Sequence, residues 1–118
     1  MATETLDLVR GTLDILVLKI ISWQPLHGYA ISQAIRQQTD EALFVEEGAL
    51  YPALYRMEAK GWIKAEWRLS DNNRRAKFYA LTRKGRKHLH AQTQTWKAYT
   101  TAVAKILSAS QAPSPREP

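Results

Sequence analysis

Over residues 12–23 the apolar side chains Leu13, Ile15, Leu16, Val17, Leu18, Ile20 and Ile21 leave almost no polar face. That spacing predicts a helix at the centre of the core. An upstream piece, residues 4–10, carries Leu6, Leu8 and Val9 and either extends this helix or docks elsewhere. Pro25 and Gly28 end the helix and open a turn. Ile31, Ala34 and Ile35 then predict a shorter helix over 29–38, followed by a connector over 39–45. A third helix is expected over 47–60, closed by Gly61 as a left-handed cap.

From Trp62 the period drops to two. Ile63, Ala65, Trp67 and Leu69 share one face, while Lys64, Glu66 and Arg68 share the other, as in a half-buried strand over 62–69. Ser70-Asp71-Asn72-Asn73 supplies turn residues, asparagine being tolerant of positive φ. A second strand over 76–81 completes a hairpin with a basic tip. Thr82 can cap a last helix over 83–108, along which Leu89, Trp96, Tyr99, Val103, Ile106 and Leu107 form one apolar stripe. A helix this long, placed after the domain has closed, is not needed for one chain's core and is expected to pack on another subunit. Residues 109–118 hold three prolines and are expected to be disordered. The fold class is therefore α+β: a winged helix-turn-helix over 1–82, with three helices and a two-stranded wing, then a dimerisation helix over 83–108 and the tail over 109–118.

Composition narrows the chemistry. The 118 residues contain no cysteine, which excludes disulfides, thiolate zinc sites and cysteine nucleophiles and suits a reducing, cytoplasmic setting. The longest apolar run is too short to span a bilayer, so no membrane association is expected. The net charge of +6 is unevenly placed. Residues 1–59 hold four basic side chains against eight acidic ones, whereas residues 60–90 hold ten basic against two. Such a local excess is a polyanion-binding pattern, although a solvated lysine- and arginine-rich helix face would give the same count.

The third helix carries the sharper signal. With Leu50 at zero on a helical wheel, Leu54 and Met57 fall within about 40°, so these three face the core. Tyr51, Pro52, Tyr55 and Arg56 lie outside that stripe. Small Gly48 and Ala49 would let the backbone approach a phosphate. Pro52 is expected near a helix start, where backbone donors lack acceptors, and places that start no earlier than about Glu47. Tyr51, at the edge of the stripe, can serve either core or groove; Tyr55 points further out. Arg74, Arg75 and Lys77 on the hairpin can reach phosphates or a minor groove beside a recognition helix.

No catalytic constellation is recognisable. His88 and His90 project roughly 200° apart on their helix and cannot chelate together, and no metal or cofactor ligand set is present. Neither Ser-His-Asp nor paired carboxylates occur in a readable arrangement.

The segments GTLDILVLKIIS, PLHGYAISQAI, VEEGALYPALYRMEAKGWIKAEW and NNRRAKFYALTRKGRKHL resemble, in order, PadR-type transcriptional regulators. The likeness spans 8–107, and the single C-terminal helix resembles the short-tailed branch of that family. The resemblance implies a homodimeric winged-helix repressor, sequence-specific for double-stranded DNA and bound to an inverted-repeat operator. It also implies that the last helix forms much of the dimer together with the first. By analogy, the DNA-contact positions are Ala49, Tyr51, Pro52, Tyr55, Arg56, Arg74, Arg75 and Lys77. It further implies release by a small hydrophobic or aromatic effector, with Trp96 at the position of a ligand-lining tryptophan, where simple interface packing is the other reading. The wing departs from members with glycine at its tip, since Asn72 and Asn73 stand there. A winged-helix ligand-binding or adaptor protein without DNA binding is the rival from another class.

Overall fold

The computed structural model describes residues 6, 8, 9 and 11–116. Its elements are α1 (Leu13–Ile21), β1 (Leu26–His27), α2 (Gly28–Gln38), α3 (Glu47–Ala59), β2 (Ile63–Leu69), β3 (Arg75–Leu81) and α4 (Arg83–Leu107). The expected α+β winged helix-turn-helix is present, with one addition. The sheet has three antiparallel strands in the order β1-β3-β2, not two. The extra strand pairs Leu26 with Tyr79 and His27 with Phe78, which ties the α1–α2 turn to the wing.

Val17, Leu18, Ile20 and Ile21 of α1 pack with Ile31 and Ile35 of α2 and Leu50, Ala53, Leu54 and Met57 of α3. Ile63, Tyr79 and Leu89 close this core from the sheet and from α4. Leu13, Ile15 and Leu16 remain only half-buried, so α1 is buried on one side and not all round. Of the upstream piece, residues 1–5, 7 and 10 lie outside the described residues. Leu6 and Leu8 do not extend α1; the Leu6 N–H donates to the Ala42 carbonyl at 2.8 Å, and Leu8 packs against the core.

Several termini follow from single residues. Gly61 takes φ +78 after α3. There the Trp62 N–H donates to the Met57 carbonyl and the Gly61 N–H to the Glu58 carbonyl, the paired bonds of a Schellman cap. His27 caps α2, its Nδ1 accepting from the Ala30 N–H at 3.1 Å. In the wing loop the Asn73 N–H donates to the Ser70 carbonyl at 2.9 Å, and Asn73 takes φ +61. Asparagine thus adopts the left-handed conformation that a tip glycine would otherwise supply. Thr82 caps α4 by accepting from the Gly85 N–H at 2.9 Å, and its hydroxyl donates to the Gly61 carbonyl at 2.6 Å.

The junction at α4 is tighter than the sequence indicates. A Cβ built on Gly85 would stand 1.9 Å from the Trp62 carbonyl oxygen, so only glycine fits. The His88 ring stacks on Trp62 at 3.7 Å between centroids. Leu89 is 8% exposed and belongs to the protomer's own core. The opening turns of α4 therefore complete the winged domain, which does not close at Thr82. Residues 109–116 are exposed and form no regular secondary structure, and 117 and 118 lie outside the described residues. Among the described residues no helix is long and apolar enough to cross a membrane.

Candidate nucleic-acid interface

α3 begins at Glu47 and divides its faces as the wheel requires. Leu50, Ala53, Leu54 and Met57 are buried, while Ala49, Tyr51, Pro52, Tyr55 and Arg56 are exposed. Tyr55 stands 77% exposed. Tyr51 is 44% exposed and divides its ring between two environments. A Cβ on Gly28 would meet its ring and hydroxyl at 2.7–2.9 Å, so glycine at the start of α2 makes room for one edge. The other edge remains free.

Pro52 requires a correction. It is the sixth residue of α3, beyond the first full helical bond, in which the Leu50 N–H reaches the Glu46 carbonyl at 2.9 Å. It therefore does not sit among the free donors of the helix start. Lacking an N–H, it cannot bond the Gly48 carbonyl one turn earlier. Gly48 itself has open space where a side chain would stand. The phosphate-attracting role read for this helix end is also offset. Glu46 and Glu47 are both exposed there, and their carboxylates complement the helix dipole in a phosphate's place.

The wing adds cations and aromatics on both faces. The register sets Ala65 opposite Tyr79, Trp67 opposite Lys77 and Leu69 opposite Arg75. Ile63 is buried and Ala65 half-buried, but Trp67 and Leu69 are exposed, so the distal half of β2 projects beyond the core. Arg74 stands exposed in the loop. The Arg75 guanidinium lies over the Trp67 ring at 5.1 Å, and the Arg68 guanidinium over Phe78 at 4.3 Å. Where β3 passes α3, Lys77 Nζ sits 3.4 Å from Glu58 Oε1. Burial pushes the Tyr79 phenol above its ordinary pKa, against the opposing pull of Lys77.

The expected contact residues thus fall into two groups. Tyr51, Tyr55, Arg74 and Arg75 are free to meet a ligand. Arg56 is already paired with Asp14 of α1, and Lys77 with Glu58. Sequence spacing carries no signal for the Arg56–Asp14 pair, which joins residues 42 positions apart. Tyr29 and Trp67, both exposed, line a cleft of about 370 Å³ with His27, Tyr51, Lys77 and Tyr79, and extend the aromatic surface beyond the residues named from sequence.

On α4, Trp96, Tyr99, Val103, Ile106 and Leu107 all remain exposed along one side. Trp96 also closes a cavity of about 250 Å³ lined by Leu6, Leu8, Val9, Ile15 and Leu16. Its ring lies 6.3 Å from that of Tyr99.

A family model described as transcriptional regulator PadR-like matches residues 17–91. Over 91 residues the chain is 34% identical to an uncharacterised protein of Lysinibacillus sphaericus, covering 76% of this chain and 83% of that one. A transcriptional regulator from Clostridium thermocellum superposes with a TM-score of 0.77 at 29% identity, covering 84% of this chain and 96% of that one. A PadR-like transcriptional regulator from Bacillus cereus gives 0.74 at 31% identity, covering 85% and 95%. A PadR family transcription regulator from Clostridium difficile gives 0.73 at 32%, covering 83% and 100%.

Proposed function

Because the chain belongs to the PadR-like family of transcriptional regulators, we propose that it is a cytoplasmic, homodimeric repressor of the short-tailed branch that reads an inverted-repeat operator. The observation that carries this reading is one surface. Tyr51 and Tyr55 stand outward on a helix whose opposite face is fully buried, beside a wing presenting Arg74 and Arg75. A helix seated in this way can enter a major groove while wing cations hold phosphates or the adjacent minor groove. Ala49 and Pro52 stand exposed on the same helix and allow close approach. Arg56 and Lys77 join the contact set only by leaving Asp14 and Glu58, which makes them secondary to the wing arginines.

Dimerisation is supported by the apolar stripe of Trp96, Tyr99, Val103, Ile106 and Leu107. Five large side chains on this helix face stay exposed even where Trp96 meets the residues before α1, and such a surface suits a second copy. Leu89, grouped with this stripe from its spacing, serves the protomer's core instead. The apolar cavity beside Trp96 supports release by a small hydrophobic or aromatic ligand, since occupancy there would act on the seam between α1 and α4.

The test is an electrophoretic shift with DNA from upstream of the protein's own gene. The repressor reading expects a discrete complex on a fragment bearing an inverted repeat. The ligand-binding or adaptor alternative expects none at any protein concentration that leaves random DNA unbound.

A further inference from the structure

The densest run of positive charge lies on neither α3 nor the wing tip. Arg83, Lys84, Arg86 and Lys87 occupy the first two turns of α4, all exposed, with His90 beside them and no acidic residue in the first turn. None of the ion pairs among the described residues involves these four. On the recognition side, by contrast, Arg56 and Lys77 are already neutralised by carboxylates. Cations at a helix N-terminus also oppose the helix dipole, so this arrangement disfavours the folded helix unless a polyanion offsets it.

The cationic face is distinct from the surfaces already described. Taking Leu89 as zero at 100° per residue, Gly85, Trp96, Val103 and Leu107 fall within about 40° of it, whereas the four cations spread from roughly 60° to 220°. They therefore stand away from the core, with Lys84 beside the outer edge of the stripe, where Ile106 and Tyr99 fall at about 260° and 280°. They are also remote from the reading ends of the interface. α4 starts at the base of the hairpin, where Ile63 pairs with Leu81. The tip lies seven residues away, about 20 Å at strand rise. The start of α3 lies 13 residues from its end, also about 20 Å at helical rise. The face is rigidly seated, since Thr82 caps the helix and Gly85 presses on the Trp62 carbonyl.

We propose that the first two turns of α4 form a second, sequence-independent DNA-binding face that holds the phosphates of a second duplex while α3 and the wing hold the operator. The occupant is DNA because the four cations line, with His90, one broad open concavity of about 870 Å³, which offers closely spaced charges to a phosphate backbone and no enclosure for a small ligand. A face about 20 Å from the far ends of α3 and the wing is placed to meet a duplex other than the one those ends engage. The inference rests on the DNA-binding reading above, and its test separates the two.

An operator duplex is immobilised and saturated with the full-length protein, and a labelled duplex lacking the operator is then offered. The unmodified protein is expected to retain the second duplex. The triple variant Arg83→Gln, Arg86→Gln, Lys87→Gln is expected to retain at least tenfold less, with operator affinity within threefold and a melting temperature unchanged or raised. Operator binding by the variant also shows that it is folded, and Lys87→Gln alone should give an intermediate loss. Equal retention by variant and parent overturns the proposal. So does tighter binding to operators with longer flanks without capture of a second duplex, which would place the cations on the same DNA. Loss of retention on immobilised polyglutamate with unchanged duplex capture would assign the face to an acidic protein and overturn the DNA assignment. Failure of the parent to bind the operator at all would instead remove the repressor reading, and capture of random duplex by the free protein would still be scored against the triple variant.

Discussion

A methyl group at residue 85 would meet the Trp62 carbonyl at 1.9 Å, and that carbonyl already accepts the Thr82 N–H at 3.0 Å. Neither partner is the end of a flexible side chain, so the backbone must shift. Gly85→Ala is expected to cost about 3 kcal/mol or more, read as a fall of roughly 10–20 °C in thermal melting. A melt within about 2 °C of the parent would show that the junction gives way freely. A second residue-scale prediction concerns Arg56. Its guanidinium is held by Asp14, so Asp14→Ala should free it and raise operator affinity about two- to fivefold, as one added phosphate contact would. Unchanged affinity by fluorescence anisotropy would remove Arg56 from the contact set. Tyr51 divides between packing and exposure because Gly28, on a different helix, leaves space for its ring, and no helical wheel of α3 contains that information.

At the scale of elements, the wing should act through charge. Replacing Arg74 and Arg75 together with Ala is expected to weaken operator binding and lower its salt slope by up to about two, measured by titration across salt concentrations. An unchanged slope would take the wing tip off the DNA. The wing was legible in the chain because period-two alternation and a run of turn residues are local signals: Gly61 closes α3 and Asn73 takes positive φ where the sequence points to a cap and a turn. β1 was not legible. Two residues between Pro25 and Gly28 have no period to detect, and their strand character comes entirely from pairing with Phe78 and Tyr79. Leu89 shares its spacing with the α4 stripe, but only the packing of α4 on α1 and the sheet distinguishes a core residue from an interface residue. Pro52 goes with a helix start at Glu47 as expected, but the reason for its tolerance is not the one the sequence indicates. Helix-start rules describe free donors, whereas Pro52 stands two residues past Leu50, whose N–H is already bonded to the Glu46 carbonyl.

For the whole molecule, the 65 × 40 × 23 Å envelope contains a 25-residue α4 of which only Gly85 and Leu89 are buried. A lone helix of that length with an exposed apolar stripe gains its stability from packing, which a second copy would provide. Trp96→Asp with Val103→Asp should therefore dissociate or unfold the protein, because the pair places charge in an apolar seam. Sedimentation of the variant as a folded dimer would contradict that. In the proposed dimer, the relation between the two copies would set the spacing and symmetry of the DNA that both recognition helices could share. The most direct measurement is fluorescence anisotropy of an upstream inverted-repeat duplex, titrated with the protein beside the same duplex with one half-site scrambled. The account predicts saturation at two chains per intact duplex and an affinity at least about a hundredfold lower for the scrambled one at equal salt. Equal affinity for both would contradict it.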